Sequence, residues 1–205
     1  MSSKASNRPI WVSISASFAY LIAALGVNYI AGTYASSFVR NSSVPDLFHT
    51  ILPVVDTNFI YNQGAILFWI IIALLLIRNP KKAPFVIMSI ATLILVRSFF
   101  LTLTHPGQIA NDQTRNGIIL SFFSFKTDYF FSAHTANPFL MALIFWESNP
   151  KRILFLFLSI LFGVSVILGR MHYSVDVFAA FFITYGVYAF CRSFFKNYFQ
   201  MFNSY

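Results

Sequence analysis

Pro84-Phe85-Val86-Ile87-Met88-Ser89-Ile90-Ala91-Thr92-Leu93-Ile94-Leu95-Val96-Arg97-Ser98-Phe99-Phe100-Leu101-Thr102-Leu103-Thr104 holds one charge in twenty-one residues, and that charge falls late in the run. An α-helix rises about 1.5 Å per residue and the hydrocarbon core of a bilayer is about 30 Å thick, so a run of this length and composition reads as a membrane-spanning helix. The rest of the chain has the same character. Of its 205 residues, 58% are hydrophobic, 19% aromatic and only 10% charged, against roughly 25% charged in an average soluble domain. Six spans are expected, at about 11–31, 58–78, 84–104, 128–147, 152–170 and 173–193, giving an all-α bundle of six transmembrane helices and a single transmembrane domain over residues 1–205. The first run, from Trp11 to about Ala31, is longer than a secretory h-region and is expected to be a retained span.

The net charge of +8 is distributed as a topology signal and does not predict nucleic-acid binding, because Lys and Arg lie in short clusters between apolar runs. Nine of them (Lys4, Arg8, Arg78, Lys81, Lys82, Lys151, Arg152, Arg192 and Lys196) fall at the N-terminus, in two short Asn-Pro loops and after the last span. Arg40, Arg115, Lys126 and Arg170 fall on the other side. Basic residues stay cytoplasmic, so both termini are expected there. The loops at about 32–57 and 105–127 and the turn near Arg170 then face the periplasm, the exterior or a lumen. The apolar stretch Gly117–Phe125 is expected in the membrane interface. The lone Cys191 reads as a buried or lipid-facing thiol with no internal disulfide.

Ionisable groups within spans are costly, by roughly 2.5 to 3.5 kcal/mol on insertion scales, and tend to face a cavity or a functional site. Here Arg97, Asp128, His134, Arg170, His172 and Asp176 all fall near the outer membrane surface once the helices alternate in direction. In His172-Tyr173-Ser174-Val175-Asp176 the spacing of four lets the carboxylate hold one imidazole nitrogen if the segment is helical. A His/Asp pair that merely caps a helix start fits that spacing equally. His134 is a single histidine on an apolar helix, with Pro138 four residues on. The Pro138 ring removes the hydrogen bond that the His134 carbonyl would accept.

Two segments resemble a known family. Ser165-Val166-Ile167-Leu168-Gly169-Arg170-Met171-His172-Tyr173-Ser174-Val175-Asp176 is similar to the last motif of the phosphatidic acid phosphatase type 2 superfamily, and Phe131-Ser132-Ala133-His134 to its Pro-Ser-Gly-His motif. The sphingomyelin synthase branch is the nearer likeness. Asp128-Tyr129-Phe130-Phe131-Ser132-Ala133-His134-Thr135 resembles its Gly-Asp-x-x-x-Ser-Gly-His-Thr, and His172-Tyr173-Ser174-Val175-Asp176 its His-Tyr-Thr-x-Asp. Val44-Pro45-Asp46 resembles its Leu-Pro-Asp, and Arg97 with Thr104 and Pro106 its third-span segment. The resemblance implies a lipid phosphatase or phosphotransferase in which His172 attacks phosphorus to form a phosphohistidine, Asp176 orients it and His134 protonates the leaving oxygen. It implies no metal or cofactor. Arg97, Arg170, Ser132 and Asp128 become the candidate phosphate or substrate contacts, and the partners are membrane lipids and a phosphorylated lipid substrate.

The chain departs from the pattern at Val166, where the phosphatases carry Arg, and at Ala133 in place of Gly. Water as acceptor gives a phosphatase. A lipid hydroxyl gives a transferase, such as a phosphocholine or phosphoethanolamine transferase of the sphingomyelin synthase kind. Two other classes fit parts of the pattern: a catalytically silent lipid-binding relative, suggested by Val166 and Ala133, and a small transporter with charges along its path.

Overall fold

The computed structural model describes residues 9–38, 43–103, 109 and 130–204. The elements are α1 (Ile10–Ser36), a short α2 (Leu47–Ile51), a single π-helical turn (Ile60–Gly64) running into α3 (Ala65–Arg78), a 3₁₀ turn (Pro80–Lys82), α4 (Ala83–Leu103), α5 (Ala133–Ile144), α6 (Asn149–Leu168), α7 (Ser174–Phe194) and α8 (Lys196–Asn203). Arg40, Arg115, Lys126, Asp128 and the stretch Gly117–Phe125 lie outside the described residues.

Five described helices are long and apolar enough to cross a membrane: Ile10–Ser36, Ile60–Arg78, Pro80–Leu103, Asn149–Leu168 and Ser174–Phe194. Their outward faces carry large apolar side chains with nothing packed on them, among them Ile22, 68% exposed, and Phe182, 80% exposed. Apolar exposure on this scale has no place in water; the chain is an integral membrane protein.

The expected span at 128–147 takes a shorter form. Its helix, α5, has 12 residues and rises about 18 Å, less than a hydrocarbon core. Ser132 sits at its N-cap with extended backbone, and Phe145 ends it by donating to the Met141 carbonyl at 2.9 Å. Pro138 lies inside it. Neighbouring carbonyls are taken up by side chains, Ala133 by Asn137 Nδ2 at 3.0 Å and Thr135 by Ser159 Oγ at 2.8 Å. The helix therefore persists through the proline.

α1 lies against α4 along a stripe of small buried residues, Ser13, Ser17, Ala24, Ala31 and Ala35. Small side chains let two backbones approach closely where lipid supplies no hydrophobic drive. Polar pairs join the same seam: Tyr20 Oη and Thr92 Oγ1 are 3.3 Å apart, and Ser98 Oγ donates to Asn28 Oδ1 at 3.2 Å. α5 and α6 form a hairpin, and α7 packs back on α5. Between them lies an aromatic core with Phe85, Phe155, Phe162 and Leu140 fully or almost fully buried.

The two ends of the bundle differ. At one end the 3₁₀ turn, the α5–α6 turn and α8 meet. Lys82 Nζ lies 4.7 Å from the Phe202 ring centroid, Lys151 Nζ 5.4 Å from Phe145, and the Arg192 guanidinium 4.9 Å from Phe199. These are cation–π contacts, each worth roughly 0.5 to 1 kcal/mol where exposed. At the opposite end the segment 43–57, the last turns of α4, the start of α5 and the α6–α7 turn come together, and every described candidate residue is there.

Candidate active site

The α6–α7 turn is built by a Schellman closure. Met171 N donates to the Val166 carbonyl at 2.9 Å and Arg170 N to the Ile167 carbonyl at 3.1 Å, which satisfies carbonyls that the end of α6 leaves without partners. The left-handed position this closure needs is usually glycine. Here Arg170 holds it, with φ 56°, at a cost of about 1 kcal/mol for its Cβ. The chain then reverses and presents His172 one residue before Tyr173, the N-cap of α7.

His172 is therefore not on a helix, contrary to the expectation that its pairing with Asp176 is a one-turn contact along a helix face. Asp176 reaches it by folding back over the start of α7: its Oδ2 accepts from Tyr173 N at 3.0 Å and lies 3.5 Å from His172 Nδ1. Both side chains are buried, 3% and 1% exposed. A carboxylate at a helix N-terminus is favoured by the backbone N–H groups there, and this one both caps α7 and lies within ion-pair distance of His172 Nδ1.

The α5 motif is tied to the same carboxylate residue. Ser132 N donates to the Asp176 carbonyl at 3.2 Å, and Thr135 Oγ1 donates to Ser132 Oγ at 3.3 Å. Arg97, 8% exposed on α4, donates from Nε to the Phe131 carbonyl at 2.9 Å. Ser132, His172 and Asp176 are thus linked directly, and Arg97 holds the backbone of Phe131, the residue before Ser132. His134 lies two residues past Ser132, half-buried, with its ring stacked on Tyr61 at 3.9 Å between centroids and edge-on to Phe162 at 6.1 Å.

Segment 43–57 straps across the turn. Asp46 caps α2 through His49 N at 3.1 Å and also accepts Ser174 N and Ser174 Oγ, both at 2.8 Å. His49 Nε2 lies 3.1 Å from the His172 carbonyl, and Val44 N donates to Tyr173 Oη at 3.1 Å. Thr57 Oγ1 donates to the Ser165 carbonyl at 2.8 Å. Burial alone would raise the Asp46 pKa, but the hydrogen bonds from Ser174 and His49 outweigh it and hold the carboxyl below its ordinary value. Burial pushes the His49 imidazole below its ordinary value; Asp46 pulls the other way and Arg170 reinforces burial.

Arg170 does something the sequence did not indicate. Its Nη2 donates to the carbonyls of His49 at 2.6 Å and Leu52 at 2.9 Å, so one arm of the guanidinium holds the end of α2. Among the described residues its buried Nη1 has no hydrogen-bond partner. Arg170 also lines a cavity of about 210 Å³ together with Asp46, His49, Thr50 and Tyr173. His49, Thr57 and Tyr61 were not singled out by sequence reasoning. An Asp such as Asp46 is a favoured helix N-cap residue, a signal too common by itself to single out a helix of five residues. No three His, Cys, Asp or Glu side chains among the described residues are grouped to hold a metal ion.

The class these features define is a helical membrane protein with a histidine–carboxylate pair and a second histidine motif at one end of its bundle. Residues 127–193 match the family model described as PAP2 superfamily C-terminal, a stretch that contains Ser132, His134, Arg170, His172 and Asp176. No curated protein and no solved structure matches the chain.

Proposed function

We propose that the protein is a membrane phosphatase or phosphotransferase of the PAP2 type, acting on a phosphorylated lipid or a phospholipid headgroup. The observation that carries this reading is the buried His172–Asp176 pair, bonded through the Asp176 carbonyl to Ser132 of the second histidine motif. With Nδ1 held by the carboxylate, Nε2 is the attacking nitrogen. Its lone pair forms the N–P bond while the ester P–O bond breaks, and the proton on His134 passes to the departing oxygen. In the second half-reaction an acceptor oxygen attacks the phosphohistidine, its proton goes to His134, and the N–P bond breaks.

Phosphoryl transfer relies on positioning and on cationic donors around the equatorial oxygens. Arg97, Arg170, Ser132 and Asp128 are the substrate contacts of this reading, with Arg170 contributing Nη1. This reading keeps the expected topology of six crossings, with both termini cytoplasmic and the site on the periplasmic, extracellular or lumenal side. The gathering of polar residues at one end supports a surface-accessible catalytic site over a transport path, which needs polar groups through the midplane.

Water as acceptor makes the enzyme a lipid phosphatase. A lipid hydroxyl as acceptor, as in a sphingomyelin-synthase-like transferase, is favoured by one contact: Asp46, in the stretch that resembles that branch, is bonded to Ser174 inside His172-Tyr173-Ser174-Val175-Asp176. The test is to incubate purified protein in vesicles with labelled lipid phosphates and labelled phospholipids, with and without diacylglycerol or ceramide. Released phosphate or a transferred headgroup, lost in His172→Ala, is expected. Wild-type protein that turns over neither substrate class under any of these conditions would refute the reading.

A further inference from the structure

Tyr61 stands outside both histidine motifs, yet it makes the closest ring contact to His134. The centroids are 3.9 Å apart with the planes 26° from parallel, while Phe162 meets the imidazole edge-on at 83°. Tyr61 is itself 4% exposed and lies in the π-helical turn Ile60–Gly64. A π turn inserts one extra residue into a helix and redirects the side chains it carries; such turns are rare and concentrate at functional sites. The turn is fixed from both directions. Tyr61 N donates to the Thr57 carbonyl at 2.9 Å, and Thr57 is anchored to α6 through Ser165. On the other side Gly64 leaves room for Phe162: a Cβ there would come within 2.8 Å of Phe162 Cε1.

We infer that Tyr61 is a positioning residue for His134, its ring face setting the plane in which His134 delivers its proton to the leaving oxygen. Both ring nitrogens of an imidazole point within the ring plane, so whatever fixes that plane fixes the direction of proton transfer. The stack on Tyr61 together with the perpendicular contact with Phe162 restricts rotation about χ2. A general acid must lie within hydrogen-bond reach of the oxygen it protonates, and a misplacement of about 1 Å can cost on the order of 100-fold in rate. The inference rests on His134 being the general acid.

A contact that only fills the core would act on every substrate alike, whereas a positioning contact matters in proportion to the need for protonation. The experiment compares a lipid phosphate, whose alkoxide leaving group must be protonated, with an aryl phosphate amphiphile, whose phenolate departs without help. Tyr61→Leu and Tyr61→Met remove the ring; Tyr61→Phe keeps it. The quantity read is the single-turnover rate of phosphoenzyme formation, because the second half-reaction uses His134 as base whichever substrate was cleaved. It should fall roughly 10-fold or more on the lipid phosphate in both ring-less variants, stay within about threefold of wild type on the aryl phosphate, and be close to wild type on both in Tyr61→Phe. In a His134→Ala background, loss of the ring should add nothing further on the lipid phosphate, the signature of two residues acting as a unit.

Equal losses on the two substrates, or none on either, would overturn the inference while leaving the general acid in place. If His134→Ala shows no preference for the better leaving group, the acid assignment itself falls. The two failures are therefore distinguishable. Should one ring-less variant not fold, the other and Tyr61→Phe still decide the question.

Discussion

Asp46 and His49 join a short helix to the turn that carries His172, and their ionisation makes the junction sensitive to pH. The folded-state value of His49 lies below its unfolded one. Neutral His49 therefore contributes stability that is complete above the ordinary imidazole value and is lost as pH falls through the lower, folded value. Asp46 is also held below its ordinary value, so its contribution is complete above the ordinary carboxylate value and is lost as pH falls from there through the lower, folded value. The two windows do not coincide. The protection of the backbone amides of residues 49–52 against hydrogen exchange, taken relative to the intrinsic exchange rate at each pH, is predicted to fall on mild acidification, before the carboxylate titrates. His49→Gln keeps a nitrogen donor for the His172 carbonyl and should flatten that dependence. Protection that stays level through the imidazole range in the wild type would show that His49 does not couple the strap to pH.

The legible elements and the hidden ones differ in a physical way. Four of the expected spans reappear within a few residues of their predicted ends as the helices from Ile60, Pro80, Asn149 and Ser174, and α1 extends past its expected end to Ser36, because length and hydropathy alone specify a crossing. α6 begins at Asn149, earlier than the expected 152, because Pro150 suits the first helical turn. α5 was overestimated: the apolar residues before Ala133 read like helix, whereas Ser132 is held extended by its bond to the Asp176 carbonyl, a contact no local pattern reveals. The same holds for α2. Five residues carry no period, and its stability comes from Asp46, Ser174 and Arg170, far apart in sequence. The motifs marked the candidate residues that the fold gathers at one end, but the contact of Arg170 with the end of α2 was not legible. Gly169 tests this element directly. A Cβ there would collide with Thr57 Oγ1, which is buried and bonded to the Ser165 carbonyl. Gly169→Ala is predicted to lower stability by about 1 to 3 kcal/mol through overpacking, read as an earlier thermal transition in detergent. An unchanged transition would mean that the strap tolerates displacement from α6.

At the scale of the whole molecule the bundle has a basic, aromatic end and a histidine-bearing end, and the proposed topology puts the first in the cytoplasm. Cys191 is buried, so a single introduced cysteine reports on its own position. An impermeant thiol reagent should reach Lys81→Cys only from the cytoplasmic face and Thr50→Cys only from the other face; the opposite pattern would invert the topology. The central claim is that a nitrogen of His172 carries the phosphoryl group, and trapping the intermediate tests it most directly. Protein quenched during turnover of a substrate labelled at phosphorus should hold an acid-labile, base-stable label. The label should be absent from His172→Ala, diminished but detectable in Asp176→Asn, and present in His134→Ala supplied with an aryl phosphate. A His172→Ala protein that still becomes labelled would contradict the account.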